Sequence, residues 1–265
     1  MRASRSTLES PIESAPMMTT TGAHGPAAGR QAIGATRPRR IAVVVGLLFI
    51  AGDIAGVLGG VVTSGLLKDP GYLARIADHQ GRVVVGALCI LIMASFLAAV
   101  PVVMYPIFRQ RHEATALGYL IVRGALETVA YIAQASSLLL LVALSRDYVK
   151  SGSSDAQFGA IGRLLLKAHE SVGDHVLSMV FGFGALMLAY LFYASRLVPR
   201  WLSIWGLVGA PLYFAYGLLG LFRVSGGFLM APLALQELAL AVWLIAKGFD
   251  SDALRAALVD DVETS

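Results

Sequence analysis

Six stretches of the chain are apolar almost without interruption: 41–62, 83–108, 115–144, 172–195, 203–222 and 228–246. Each is long enough to cross a bilayer as a helix, which takes about 20 residues. Backbone groups in lipid find no water, so a spanning segment satisfies them within itself. The pattern predicts an all-α polytopic membrane protein, a six-transmembrane-helix bundle with short loops. Two connections, 63–82 and 145–171, are long enough to hold further elements. In the first, Asp69-Pro70 ahead of Gly71-Tyr72-Leu73 reads as an N-cap followed by proline at the first helical position. In the second, 156–170 sets Phe158, Ile161, Leu164 and Leu165 against Arg163 and Lys167. This is an amphipathic helix that either lies on the membrane surface or extends the fourth span.

The flanks are different. Residues 1–40 are rich in Ser, Thr, Pro, Gly and Ala with six arginines, too poor in large apolar side chains to offset the entropy of ordering, and are predicted to be a disordered basic tail. The transmembrane domain is 41–249 and a polar C-terminal tail covers 250–265. No short apolar core with a small-residue cleavage site precedes Ile41, and Arg39-Arg40 reads as a basic anchor because the apolar run after it has full spanning length.

Composition supports the membrane assignment: 57% of residues are hydrophobic and 14% charged, with mean hydropathy +0.71. Soluble domains carry about 25% charged residues. Cys89 is the one cysteine, which excludes an internal disulfide framework. The net charge of +4 does not point to nucleic acid, because the basic residues lie between apolar runs rather than on a polar, aromatic-studded domain. Their partner is the lipid bilayer. With the N-terminus inside, Lys and Arg number twelve on the inner side and eight on the outer, and the short inner loops around Arg109–Arg111 and Arg196–Arg200 carry the cleaner signal. Both termini are therefore expected to be cytoplasmic. Trp201 and Trp205 beside Arg196 and Arg200 fit an aromatic belt at that interface.

Small residues govern helix approach in lipid. Gly52, Gly56 and Gly60 recur every four residues in the first span and predict a close helix contact there. Pro101, Pro106, Pro211 and Pro232 either kink their helices or mark helix ends.

Ionisable groups inside the bilayer cost on the order of 2.5 to 3.5 kcal/mol each and usually face the bundle interior. Asp53, Glu127 and Glu237 fall twelve, twelve and nine residues into the first, third and sixth spans. At 1.5 Å per residue all three lie about 14 to 18 Å deep. Arg123 is four residues before Glu127 on one helix face, so the two can pair, and Tyr131 and Gln134 continue that polar stripe. Three carboxyls against one guanidinium call for a proton, a cation or a cationic ligand to compensate. Asp53, Arg123, Glu127 and Glu237 are thus a candidate cluster for binding or translocating a small ligand, proton or cation. The alternative is a structural or accessory membrane protein whose polar cluster only fixes helix packing. A third class, an intramembrane enzyme, would need a nucleophile or metal matched to a general base. No such match occurs: GxSxG, HExxH and GxxxxGK[ST] are missing, so no catalytic residues and no cofactor are assigned. The run His169-Glu170 to Asp174-His175 puts its histidines six apart on different helix faces, so it is read as solvated cap residues and no metal site is assigned.

Gly-Asp-Ile-Ala-Gly (52–56), Val-Arg-Gly-Ala-Leu-Glu (122–127), Leu-Val-Pro-Arg-Trp (197–201) and Leu-Gln-Glu-Leu (235–238), with the runs around them, resemble the bacterial integral-membrane family catalogued as domain of unknown function 4386. The similarity covers about 39–249 and contains all four cluster residues. It implies a multi-pass protein of the bacterial inner (plasma) membrane and supplies no reaction.

Overall fold

The computed structural model describes residues 27–68, 71–152 and 156–254, with side chains from Arg39 onward. The first 26 residues of the expected tail, the Asp69-Pro70 cap and residues 255–265 lie outside the described residues. Among the described residues there are helices and no strand: α1 (Ala27–Thr63), α2 (Tyr72–Asp78), α3 (Gln80–Tyr119), α4 (Glu127–Lys150), α5 (Ala156–Glu170), α6 (Leu177–Ser195), α7 (Arg200–Leu221) and α8 (Ala231–Ala246). Two π-helical segments, Leu120–Leu126 and Ser171–Val176, join α3 to α4 and α5 to α6.

Among the described residues five helical stretches are long and apolar enough to cross a membrane: Arg39–Thr63, Gln80–Lys150, Ala156–Ser195, Arg200–Leu221 and Gly227–Ala246. Each long helix carries exposed apolar side chains, among them Leu47, Ile54, Leu88, Ile92, Ile132, Phe183, Val208 and Leu238. A water-soluble fold would bury such surface, whereas a lipid-facing one keeps it outside. The protein is a multi-pass membrane protein.

The stretch Gln80–Lys150 runs 71 residues. A straight helix of that length would reach on the order of 100 Å. It is not straight, because His112 leaves helical geometry at φ −139, ψ 53 and the chain folds back there. The two limbs meet again at their far ends, where Arg146 Nε donates to Gln80 Oε1 at 2.6 Å. At the opposite end Arg39 Nη2 donates to the carbonyls of Ile245 and Ala246 at 2.9 and 3.0 Å, filling acceptors that the end of α8 leaves open. The first and last long helices therefore begin and end side by side.

The interhelical contact on α1 is only partly where the glycine stripe puts it. A methyl on Gly52 or Gly56 would press on Leu97 or Met93 of α3, but Gly60 faces open space. The glycine that meets α3 backbone is instead Gly59, where a methyl would lie 3.3 Å from the Gly86 carbonyl. On the other side of the bundle a methyl on Gly182 of α6 would lie 2.8 Å from the backbone nitrogen of Phe214 on α7. Pro101, Pro106 and Pro211 sit within helices, and Pro232 occupies the first turn of α8, where its missing N–H costs nothing.

Beyond the apolar belt, α2, α5 and the far ends of α3 and α4 form a small cap. Tyr148 of α4 packs edge-on against Phe158 of α5 at 6.1 Å, and His169 Nδ1 lies 3.1 Å from the Gln134 carbonyl. Helix α5 thus runs along α4 and continues through the π-helical segment into α6, which resolves the two readings of 156–170 in favour of extension. It also corrects the reading of the histidines: His169 contacts α4, and His175 is partly buried against Gly217 and Gly220 of α7, so neither is a solvated cap.

Candidate functional site

Arg123 stands in the π-helical segment Leu120–Leu126, where the widened turn carries it into the bundle centre with 1% of its side chain exposed. Moving a guanidinium out of water is costly unless its donors are matched. Two carboxylates and two rings surround it. Arg123 Nη2 donates to Glu237 Oε1 at 2.8 Å, and Arg123 Nε lies 3.3 Å from Glu127 Oε2. Its Cζ lies 4.2 Å from the centre of the Phe181 ring and 5.9 Å from that of Phe49. Gly184 of α6 leaves room for the stem, since a methyl there would lie 3.5 Å from Arg123 Cδ. Arg123 therefore ties the π-helical segment to α1, α4, α6 and α8.

The carboxyls divide by surroundings. Glu127 is 1% exposed, with the Arg123 guanidinium as its ion-pair partner. It depends on Arg123 for compensation. Glu237 is 13% exposed and lines a cavity of about 320 Å³ together with Asp53. Asp53 is half-buried and has no ion-pair partner within 4 Å among the described residues. Tyr131, Phe181, Tyr213, Met93 and Ser178 are among the residues of the remaining wall. A second void of about 10 Å³, lined by Arg123, Ser203, Gln236 and Glu237, lies toward the Arg39 end. A space of that size holds about one water. Gln236 Nε2 donates to the Leu202 carbonyl at 3.2 Å, while Ser203 Oγ is buried without a hydrogen-bond partner among the described residues.

The structure thus brings Arg123, Glu127 and Glu237 into contact and sets Asp53 across the cavity wall. Sequence reasoning missed Phe181, Tyr213 and Ser178, because an aromatic or a serine inside an apolar run carries no charge to mark it. Among the described residues no group of three or more His, Cys, Asp or Glu could hold a metal ion. What the arrangement can do is hold positive charge in a partly apolar chamber.

Comparison with curated proteins and with solved structures yields no match. The family described as Domain of unknown function (DUF4386) matches residues 44–248, a range that contains all four cluster residues and both π-helical segments, and the chain belongs to that family.

Proposed function

We propose that this protein is a six-pass component of the bacterial inner membrane, with both termini cytoplasmic, that binds or translocates a small cationic species in the Asp53–Glu237 cavity. The reversal at His112 supports counting Gln80–Lys150 as two passes. The Arg39–Ile245 contact supports termini on one side, since an even number of passes returns the chain to its starting face. The positive residues at 109–111 and 196–200 support placing that face in the cytoplasm.

One observation carries the binding reading: an intramembrane cavity of about 320 Å³ is walled by two carboxyls, only one of which has an ion-pair partner among the described residues. Structural charge networks in membrane proteins pack against their partners, whereas a carboxyl kept on a cavity wall is available to something that enters. The Arg123–Glu127 pair, by contrast, fits the second reading, a structural clamp, because Glu127 does not line the cavity.

The test is native mass spectrometry of the detergent-solubilised protein beside Asp53→Asn and Glu127→Gln, with thermal unfolding of each. A bound mass lost in Asp53→Asn and kept in a folded Glu127→Gln is the expected outcome. Equal retention in Asp53→Asn would sink the binding reading and leave the structural one.

A further inference from the structure

We infer that the species this cavity takes is an organic ammonium rather than a bare metal cation, an inference that rests on the cavity reading above. The charge is set by neighbours. Arg123 already engages Glu237 at 2.8 Å and Glu127 at 3.3 Å, and Asp53 is left without an ion pair among the described residues. Arg123 is shared by two carboxyls, so Asp53 is the carboxyl on this wall that an entering cation meets without displacing an ion pair among the described residues.

The rest of the wall selects the kind of cation. A hard metal ion replaces its water with about six or more oxygens at 2.0–2.6 Å. Among the described residues no three His, Cys, Asp or Glu side chains gather to hold a metal ion, and Met93, Leu97, Leu177 and Phe181 make much of the wall of this chamber of about 320 Å³ apolar. That volume falls at the small end of ligand pockets, which span about 300–1,000 Å³. A weakly hydrated alkylammonium loses little on leaving water and is attracted to aromatic faces. The cavity supplies them: Phe181 and Tyr213 pack with ring centres 4.8 Å apart, and Tyr131 adds a third ring. Phe181 already carries the guanidinium of Arg123 at 4.2 Å, so the wall is demonstrably one against which a delocalised cation rests.

Entry follows from the faces of α1. Asp53, Gly56 and Val57 line the cavity, and Gly60, one turn further on, has nothing within 4 Å of an added methyl. α1 lies tight against α8 at Gly46, where a methyl would stand 2.7 Å from the Ala241 carbonyl. The pair closes at the Arg39 end, so the ammonium reaches Asp53 from the Thr63 end.

Isothermal titration of the full chain in detergent with choline, with its neutral carbon isostere 3,3-dimethylbutan-1-ol, and with sodium chloride tests this. The expected result is choline bound at least ten times more tightly than the isostere, with that preference falling below threefold in Asp53→Asn and weakened in Tyr213→Leu. If Asp53→Asn does not fold, the choline-to-isostere ratio in the parent and its loss in Tyr213→Leu decide alone. Equal binding of choline and isostere overturns the inference. Sodium binding that depends on Asp53, with no choline binding, overturns it while sparing the broader cation reading. Binding of none of the three overturns both.

Discussion

Glu237 accepts a 2.8 Å hydrogen bond from Arg123 Nη2 across 114 positions of sequence, and it is the residue shared by the walls of the 320 Å³ cavity and the 10 Å³ void. It therefore borders both spaces.

Removing the guanidinium exposes how far the cluster depends on it. Arg123→Met should lower stability by about 3 to 5 kcal/mol, the cost of leaving buried partners uncompensated. Adding Glu127→Gln and Glu237→Gln should recover much of that loss, because the stranded carboxylates go with it. Denaturant titration in mixed micelles checks both, and a triple variant no more stable than Arg123→Met would show that packing of the stem against Gly184 matters more than charge.

The glycines of the α1–α3 contact should separate by environment. A side chain at Gly86 meets Thr63 Cγ2, and Thr63 is anchored by its hydroxyl bond to the Gly59 carbonyl at 2.9 Å. Gly86→Val should therefore cost about 1 to 3 kcal/mol through overpacking. Gly60→Ala has open space around it and should gain about 0.5 to 1 kcal/mol from the lower backbone entropy of the unfolded chain. Thermal unfolding should shift in opposite directions for the two.

Arg223 ends α7 with φ 59, in the left-handed region, and the following Val224 N–H returns to the Leu219 carbonyl at 3.0 Å. Glycine adopts this backbone freely, whereas a side chain costs about 1 to 2 kcal/mol. Arg223→Gly should raise the melting temperature, and a fall would mean that the Arg223 side chain makes an interaction worth more than the strain.

Arg39 should act as the cap of α8. Arg39→Gln loses the charged donor to the Ile245 and Ala246 carbonyls and should cost about 1 kcal/mol, discounted for the exposure of the site. Hydrogen exchange at the last turn of α8 should rise in the variant and remain unchanged at α4.

Labelling from either side of the membrane tests the six-pass count. In a Cys89→Ala background, Ser151→Cys should react with an impermeant maleimide from outside and Arg111→Cys only after the membrane is opened. Reaction of both from one side would remove the reversal at His112 from the transmembrane count.

Much of the architecture was legible in the chain because lipid leaves few choices. Runs of apolar residues long enough to span must be helical, so the membrane class, the limits of most long helices and the polar residues within them follow from local sequence. The same reasoning singled out Asp53, Arg123, Glu127 and Glu237, since charge in an apolar run is conspicuous. What local sequence did not decide was adjacency. Nothing in the run around Gly60 says that it faces space while Gly59 meets Gly86, because both are one helical position apart and either could face α3. Nothing at Phe181 says that it lies under a guanidinium 58 residues earlier in the chain. The π-helical widening at Arg123, the continuation of α5 into α6 and the parting of Glu127 from the cavity wall are set by how the helices settle against one another. The bilayer dictates which segments become helices, but small differences in side-chain packing choose their rotation and crossing, and only those place a carboxyl on a cavity or bury it beside its partner.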